Sequence, residues 1–596
     1  MIKEYISKVN TIENQIRKER KSYGTLSFFR LVSFFSSVVM IIAGITDNNT
    51  IYLLAGIALL VAFIVLLRIH AKFDNRLTGL KARKEVVEGY IARLDGTWGS
   101  FPDNGSDFLL NDDTVSRDID LLGPYSLYQF ISLAHTEVGR RKLAETVSLR
   151  TISKDKISER YEAVEELSKK ADFVEGFESI SRRISKRKRR KELQYIEEKK
   201  YRLSAVVPFL MVLIPVVNIL VITLAVLGLV SPNLILGAFA LCLIFTMGCS
   251  NIRDKFMYPI HVLGYSSQDF YMLLKEISEE DFESGILKGI KEEVQGKEGL
   301  MSAIKKLSAL GEADNISFNP LVHMILNGLF GWDMWLTFIA AGWNKKYSGA
   351  ITKSVDIVGD VEELISLAVI SILNKTSRPV VREVGESDVI VDARQIYHPL
   401  IGGGRAVANS VKIDRGTTVI TGSNMSGKTT FLRTVAINMA LAYMGAAVCA
   451  EKMELGFMKL FTSMRVMDDV AGGVSTFYAE ILRIKEMAEY ISDEENKEAP
   501  AACFIDEIFK GTNSADRIVG AENAIRKLSL GKGFVIVSTH DFELCELKEA
   551  DGKEVTNYHF EEYYENDELK FDYKIKDGRC TTRNAKTLLR MAGLMD

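Results

Sequence analysis

Little in this 596-residue chain marks it as a secreted or a polyanion-binding protein. The six cysteines (Cys242, Cys249, Cys449, Cys503, Cys545 and Cys580) include no close CxxC pair. A disulfide framework or zinc site is therefore not expected, and a reducing cytosolic setting fits. A dominant charge of one sign is also missing, since 75 Lys+Arg stand against 78 Asp+Glu for a formal net charge of −3. A nucleic-acid function would have to rest on local patches. The first apolar run starts far from Met1 and has no small-residue cleavage site, which excludes a removable signal peptide. Neither an internal repeat nor a low-complexity tail occurs. The length exceeds what one hydrophobic core can organise, so three or more units are expected.

What the chain does have is uncharged apolar sequence in two blocks. Leu31 to Ile45 and Ile51 to Leu67 are separated only by the polar turn Thr46-Asp47-Asn48-Asn49-Thr50. A second stretch runs from Leu203 to Ile252, broken at Ser231-Pro232-Asn233. A bilayer core needs about 20 apolar residues per helix, so each block reads as a transmembrane hairpin. A core helix, the alternative, is seldom apolar on every face. Lys and Arg set the orientation. They crowd the first arm (Lys3 to Lys21), the segment after the first hairpin (Arg68 to Lys84), the run Arg182 to Lys191, and Arg253 with Lys255. The two turns carry none. The expectation is a multi-pass protein of the cell membrane with its soluble domains and both termini cytoplasmic, and with lipid as a partner. Beside a hairpin, the run Arg182 to Lys191 reads as a topology determinant or anionic-lipid contact before a DNA patch.

The division that follows is a basic arm at 1–25, hairpin 1 at 26–68, a helical linker at 69–110 and a helical core at 111–200. Hairpin 2 occupies 203–252, and the core and lever resume at 253–380. The aromatic cluster Phe330-Gly331-Trp332-Asp333-Met334-Trp335 packs that core or sits near the membrane interface. From 385 to 596 short β-branched runs alternate with helical segments, the signature of an α/β sheet with crossover helices. The fold class is thus an all-α core and lever with two transmembrane α-helical hairpins, followed by an α/β domain that the G-x-x-x-x-G-K-[ST] pattern at Gly422 to Thr429 makes a P-loop ATPase domain.

Chemistry concentrates in the last unit. Gly422-Ser423-Asn424-Met425-Ser426-Gly427-Lys428-Thr429 matches G-x-x-x-x-G-K-[ST], with an apolar strand before it and a helix after it. Its glycines let backbone N–H groups and the helix N-terminus, Thr430 included, face phosphates. Lys428 would neutralise the β- and γ-phosphates of ATP, and Thr429 would offer its hydroxyl to Mg²⁺. Ala501 to Glu507 is an apolar strand ending in two carboxylates. Asp506 would hold Mg²⁺, and Glu507 would polarise the attacking water. Phe534 to Asp541 is a buried strand that delivers His540 to sense the γ-phosphate.

At this point the sequence resembles the MutS family of ABC-type ATPases. Asp506-Glu507-Ile508-Phe509-Lys510-Gly511-Thr512-Asn513 is similar to the family's DEIGRGTS element, with Phe509, Lys510 and Asn513 as departures. Met467 to Val470, continuing through Gly473-Val474-Ser475-Thr476-Phe477 to Glu480, resembles the signature region that faces a partner subunit's nucleotide. The resemblance implies a homodimer with Ser475 and Thr476 acting in trans. It also places His398, in Tyr397-His398-Pro399-Leu400, and His559, in Asn557-Tyr558-His559, among the nucleotide contacts. Upstream, Asp120 to Leu127, Gly139 to Leu143, Arg160 to Leu167 and Val361 to Ala368 resemble the ends of the family's helical core.

The departures bear on function. No mismatch-recognition or connector domain precedes the core, and the chain stops at Asp596 without the family's C-terminal helical extension. The tripeptides Phe173-Val174-Glu175 and Phe560-Glu561-Glu562 match the family's mismatch probe in pattern but not in position. The reading is a membrane-anchored, dimeric, MutS-like ATPase that uses ATP and Mg²⁺ to move helical levers. Its rivals are a membrane-tethered mismatch-repair or DNA-binding protein, and a non-hydrolysing scaffold stabilised by nucleotide.

Overall fold

A computed structural model describes the chain except for residues 48, 186–205, 228, 232, 264–266, 297–298, 319, 348, 386–388, 424, 466–475, 494–498, 511–513, 550–551, 566–567 and 581–596. Two long helices open it, α1 (Ile2–Thr46) and α2 (Thr50–Asp95), paired as a hairpin. The basic arm and the first apolar run share α1, because no proline lies between them and the single Gly24 costs only about 1 kcal/mol. Asn49 caps α2 by accepting from the Ile51 N–H, and Gly96 ends it in the left-handed region at φ 89°. The two helices approach closely at Gly56, where an added Cβ would lie 2.6 Å from Ile41 Cγ1. Ser33 and Ser37 hydroxyls donate across to the carbonyls of Leu59 and Gly56, both at 2.9 Å. The apolar ends face outward, with Phe28, Val39, Ile51 and Leu54 all exposed, whereas Tyr5, Ile12, Val86 and Tyr90 at the other end are buried.

That buried end docks on a helical core made of α3 (Thr114–Asp118), α4 (Leu127–Ile131), α5 (Glu137–Val147), α6 (Ile157–Lys169) and α7 (Ala171–Ser185). Next come the apolar helices α8 (Val206–Val226) and α9 (Asn233–Gly248), and then α10 (Ser250–Leu263). The core resumes with α11 (Ser267–Glu279), α12 (Gly285–Gln295) and α13 (Leu300–Asp314). The short helices α14 (Pro320–Phe330) and α15 (Trp332–Lys346) follow, and α16 (Ala350–Leu373) runs through the centre, buried along most of its length. Within it Glu362 is fully buried and accepts from the His135 and Thr136 N–H groups at 2.9 and 3.1 Å, ahead of α5. A carboxylate there is stabilised by the partial positive charge of a helix start.

Among the described residues, two helices, Ile2–Gly44 and Leu54–Asp95, are long and apolar enough to cross a membrane. The count rises to four if the bent pairs Leu234–Gly248 with Ser250–Met257 (54°) and Val322–Phe330 with Trp332–Lys346 (78°) each form one. The α8 stretch Pro208–Val221 is apolar but shorter.

The remainder is mixed α/β. A four-stranded sheet orders β1 (Val380–Arg382), β5 (Lys452–Gly456), β2 (Val389–Ile396) and β3 (Asn409–Asp414) side by side. The larger sheet has the order β10 (Glu568–Asp577), β9 (Thr556–Glu565), β4 (Gly416–Thr421), β8 (Phe534–Thr539), β7 (Ala501–Asp506), β6 (Lys459–Ser463). Strands β6, β7, β8, β4 and β9 are parallel, and helices α17 (Lys428–Tyr443), α18 (Thr476–Ser492) and α19 (Ser514–Leu528) complete the domain. All of β4 and β8 and all but the last residue of β7 are buried, as expected of parallel strands covered on both faces.

Candidate nucleotide site

The register of the large sheet decides where the chemistry gathers. Thr421 on β4 lies beside Thr539 on β8, and Ser538 on β8 beside Asp506 on β7. The loop after β4, the carboxylates ending β7 and the histidine ending β8 therefore emerge together at one carboxyl edge, with β8 in the middle. Ligands of parallel sheets bind at such an edge.

The loop after β4 is held tight by backbone that only glycine accommodates easily. Gly422 has φ 146°, and a Cβ there would lie 2.7 Å from the Phe560 carbonyl; Gly427 has φ 106° and caps α17. Ser423 Oγ donates to Glu562 at 2.7 Å, and Ser426 Oγ to the Ser423 carbonyl at 2.8 Å. Met425 stands out at 84% exposure with φ 72°. Asn424 lies outside the described residues. The first turn of α17, with Thr430 exposed on it, points its free N–H groups at this hollow.

Lys428 is buried, and its ammonium donates to the carbonyls of Gly422 and Ser423, both at 2.8 Å. Burial pushes its pKa down, against the pull of Asp506, Glu507 and Glu562. Among the described residues no carboxylate forms an ion pair with it. Asp506 accepts from Thr429 Oγ1 at 2.7 Å and from the Ser538 hydroxyl. No group of three or more His, Cys, Asp or Glu that could hold a metal occurs among the described residues. A hydroxyl with one carboxylate suits Mg²⁺, which takes few protein ligands and completes its shell with water and phosphate oxygens.

Glu507 follows with φ 53°, a strained value for a side-chain-bearing residue. Its N–H is tied to the Ser538 carbonyl at 2.9 Å. Its carboxylate meets His540 Nε2 at 3.0 Å and pairs with Lys510. Burial works to raise its pKa, but Lys510 and His540 outweigh burial and hold the group below the usual carboxylate range. Glu507 is thus an ionised base beside an imidazole, and that imidazole is 3.5 Å from the Lys428 ammonium. Phe509, at φ 58°, donates its N–H to Glu480 at 2.7 Å and packs edge-on against Phe477. Both side chains come from the start of α18, so the loop after β7 and the start of that helix are joined.

The other expected residues fall differently. His559 pairs in register with Thr421, next to the loop, and its ring contacts Glu561 and the Gly578 carbonyl. His398 is buried, and its Nδ1 accepts from the Leu400 N–H at 3.3 Å. Burial and then Arg433 lower its pKa to about 4, so it is neutral. Ser475 lies outside the described residues, and Thr476 is placed only as the first residue of α18. The basic run is described only as far as Ser185.

The structure adds a clamp that motif reading missed. Asp118, fully buried at the end of α3, accepts from the N–H groups of Met464 and Arg465 at 3.0 and 3.1 Å and from Arg483 at 3.2 Å. Asp120 receives Arg465 at 2.6 Å and Arg433 of α17 at 3.4 Å. The helical core thereby grips both the strand end that leads into 466–475 and the helix that carries Lys428.

Comparison with known proteins agrees with this geometry. The family model described as MutS domain V matches residues 418–595. The DNA mismatch repair protein MutS of Persephonella marina is 29% identical over 255 residues, covering 42% of this chain and 28% of that protein. The same-named protein of Clostridium beijerinckii is 27% identical over 259 residues, covering 42% and 27%. That of Listeria monocytogenes is 32% identical over 239 residues, covering 39% and 27%. The matched part spans little more than a quarter of the length of these relatives.

Proposed function

This chain belongs to the MutS family through the domain V it carries, and from that premise we propose that it is a membrane-anchored ATPase. It binds and hydrolyses ATP with Mg²⁺ at a homodimer interface and converts the cycle into movement of its helical levers. The observation that carries the reading is the convergence of Lys428, Asp506, Glu507 and His540 at one sheet edge. Lys428 and the α17 N-terminus receive the phosphates. Thr429 and Asp506 would hold Mg²⁺, which supplies charge neutralisation on the phosphate oxygens. Glu507 accepts the proton of the attacking water once it leaves Lys510, and His540 contacts the γ-phosphate. Ser475 and Thr476 of a second copy complete the site, and the Asp118–Asp120 clamp passes its closure to the core. Hairpins α1–α2 and α8–α9 hold the protein in the bilayer, with the soluble parts on the cytoplasmic side.

The test is phosphate release by the detergent-solubilised full chain. ATP hydrolysis that Lys428→Ala removes supports the reading, whereas equal release by both proteins sinks it. Because the relatives carry the name of DNA mismatch repair proteins, duplex DNA is the second reading. Binding whose logarithm falls linearly with that of salt concentration, with phosphate release unaffected by DNA, would favour a tethered DNA-binding role instead.

A further inference from the structure

The helix pair α14–α15 falls in the stretch expected as core and lever, with an aromatic cluster expected either to pack that core or to sit near the membrane interface. Gly331 separates the helices with φ 59°, and a Cβ there would lie 2.7 Å from Pro215 Cγ of α8 and 3.6 Å from Cys242 Sγ of α9. At Gly328 a Cβ would overlap the Phe239 ring of α9 at 2.1 Å. The bend is therefore wedged into the middle of the second apolar hairpin. Pro215 lies about 14 Å of helix from the start of α8, and Cys242 about 9 Å from the end of α9.

The decisive detail is the fate of the carbonyls at the end of α14, which a helix terminus leaves free and water normally satisfies. Cys242 Sγ donates to the Asn327 carbonyl at 3.1 Å. Asn218 Nδ2 donates to those of Gly328 and Leu329 at 2.6 and 2.8 Å. Trp335 Nε1 donates to that of Phe330 at 3.0 Å. The one acid at the bend, Asp333, is taken up by His323 at 2.9 Å, Asn327 at 3.1 Å and Arg253 at 3.4 Å. Donors from α8, α9 and α15 to the carbonyls of Asn327 through Phe330 suit the water-free surrounding of a broken helix in a membrane. The outward face is apolar, with Met324 49%, Phe330 42% and Ile339 51% exposed.

We infer that α14–α15 is a re-entrant element, a V that dips into the cytoplasmic leaflet with Phe330 at its tip and acyl chains as its partner. The inference rests on the reading of α8–α9 as a membrane hairpin. Eleven residues of α14 give about 16 Å of helix, close to half of an apolar core about 30 Å thick. With a 78° bend, each arm of a symmetric V runs about 50° off its axis, so the tip reaches about 10 Å into that core and the element returns without crossing. Its return arm α15 leads straight into α16, so the membrane gains a second grip on the lever besides the hairpins.

The experiment places single nitroxides on the full chain in phosphatidylcholine–phosphatidylglycerol liposomes, at Phe330→Cys, Met324→Cys and Ile339→Cys. Val217→Cys reports on α8 and Lys305→Cys on solvent, and signal from unsubstituted protein is subtracted. Collision with oxygen relative to a nickel chelate should be highest at 330, lower at 324 and 339, and lowest at 305. If 330 matches 305 while 217 is in lipid, the re-entrant element is wrong and the hairpin stands. If 217 also matches 305, the anchoring fails and takes this inference with it. A tip at 330 that reacts with an impermeant thiol reagent from the outer side would make the pair a full crossing, which equally overturns it.

Discussion

Two cation sites of this chain, one buried and one half-buried, treat their charge in opposite ways. At the sheet edge the Lys428 ammonium rests on two backbone carbonyls and, among the described residues, pairs with no carboxylate. Beside the bend of α14–α15, Arg253 has Asp314 at 2.6 Å and Asp333 at 3.4 Å, with His323 on the same Asp333 carboxylate. An uncompensated buried charge is costly, and a compensated one is dangerous only when a partner is removed. On the proposed reading the lysine awaits an arriving anion, whereas the arginine sits in a joint that is already complete. Charge balance, more than burial, separates a ligand site from a structural one.

The largest effect should come at the ligand site. Glu507→Gln is expected to slow steady-state turnover about 10²–10⁴-fold while ATP stays bound on filters. Wild-type turnover in this variant would remove the base from the site and with it half of the contrast.

Exchanging each cation for methionine sharpens the contrast. Arg253→Met should lower the unfolding free energy in detergent by about 3–5 kcal/mol, because two buried carboxylates lose their partner. Lys428→Met should abolish ATP binding with no loss of stability, since it relieves a desolvated ammonium. Similar unfolding midpoints for the two variants would erase the distinction.

A third buried basic group gives a smaller, pH-dependent effect. His398 has its pKa depressed from 6.5 to about 4. Between those values the unfolded chain binds the proton and the folded one does not. Stability should therefore be full above pH 6.5 and fall as pH drops toward 4, by about 3 kcal/mol in all. Denaturant titrations at neutral and acid pH should show this slope, and His398→Gln should flatten it. An unchanged slope in the variant would assign the acid sensitivity elsewhere.

The smallest effect concerns Lys510, which is exposed and pairs with Glu507. Because Lys510 helps to hold the Glu507 pKa down, Lys510→Met should raise it and move the acid limb of the pH–turnover profile to higher pH. Movement the other way would show that this ion pair does not act on the base.

These regions also differ in how far the sequence reveals them. Gly422 to Thr429 is a contiguous pattern of eight residues, and Asp506, Glu507 and His540 lie at or just after the ends of apolar strands, which the parallel register of the sheet then brings to one edge. The clamp is different. Asp118 and Asp120 meet Met464, Arg465 and Arg433 only through tertiary folding, and nothing local distinguishes them from other surface acids. The pair α14–α15 is hidden for a related reason. His323, Asn327 and Asp333 interrupt its apolar run, and only the packing shows these residues turned toward one another. The tryptophans divide likewise, Trp343 donating into the core at the Ala303 carbonyl and Trp335 covering the bend. His398, placed near nucleotide by the resemblance, is buried where the charge of Arg433 acts on it, a setting that its local sequence does not show.

The docked end of the α1–α2 hairpin has a consequence for scale. From Val86, buried against the core, to Thr50 at the turn, α2 extends about 54 Å. A rotation of about 5° at the docked end would then swing the turn through about 5 Å. The hairpin is a pointer, magnifying angle into distance, and its tip is where random tilting is also largest. A shift at the core too small to resolve there would be measurable at Asn49, and any partner reading that tip must tell a directed swing from jitter of the same amplitude.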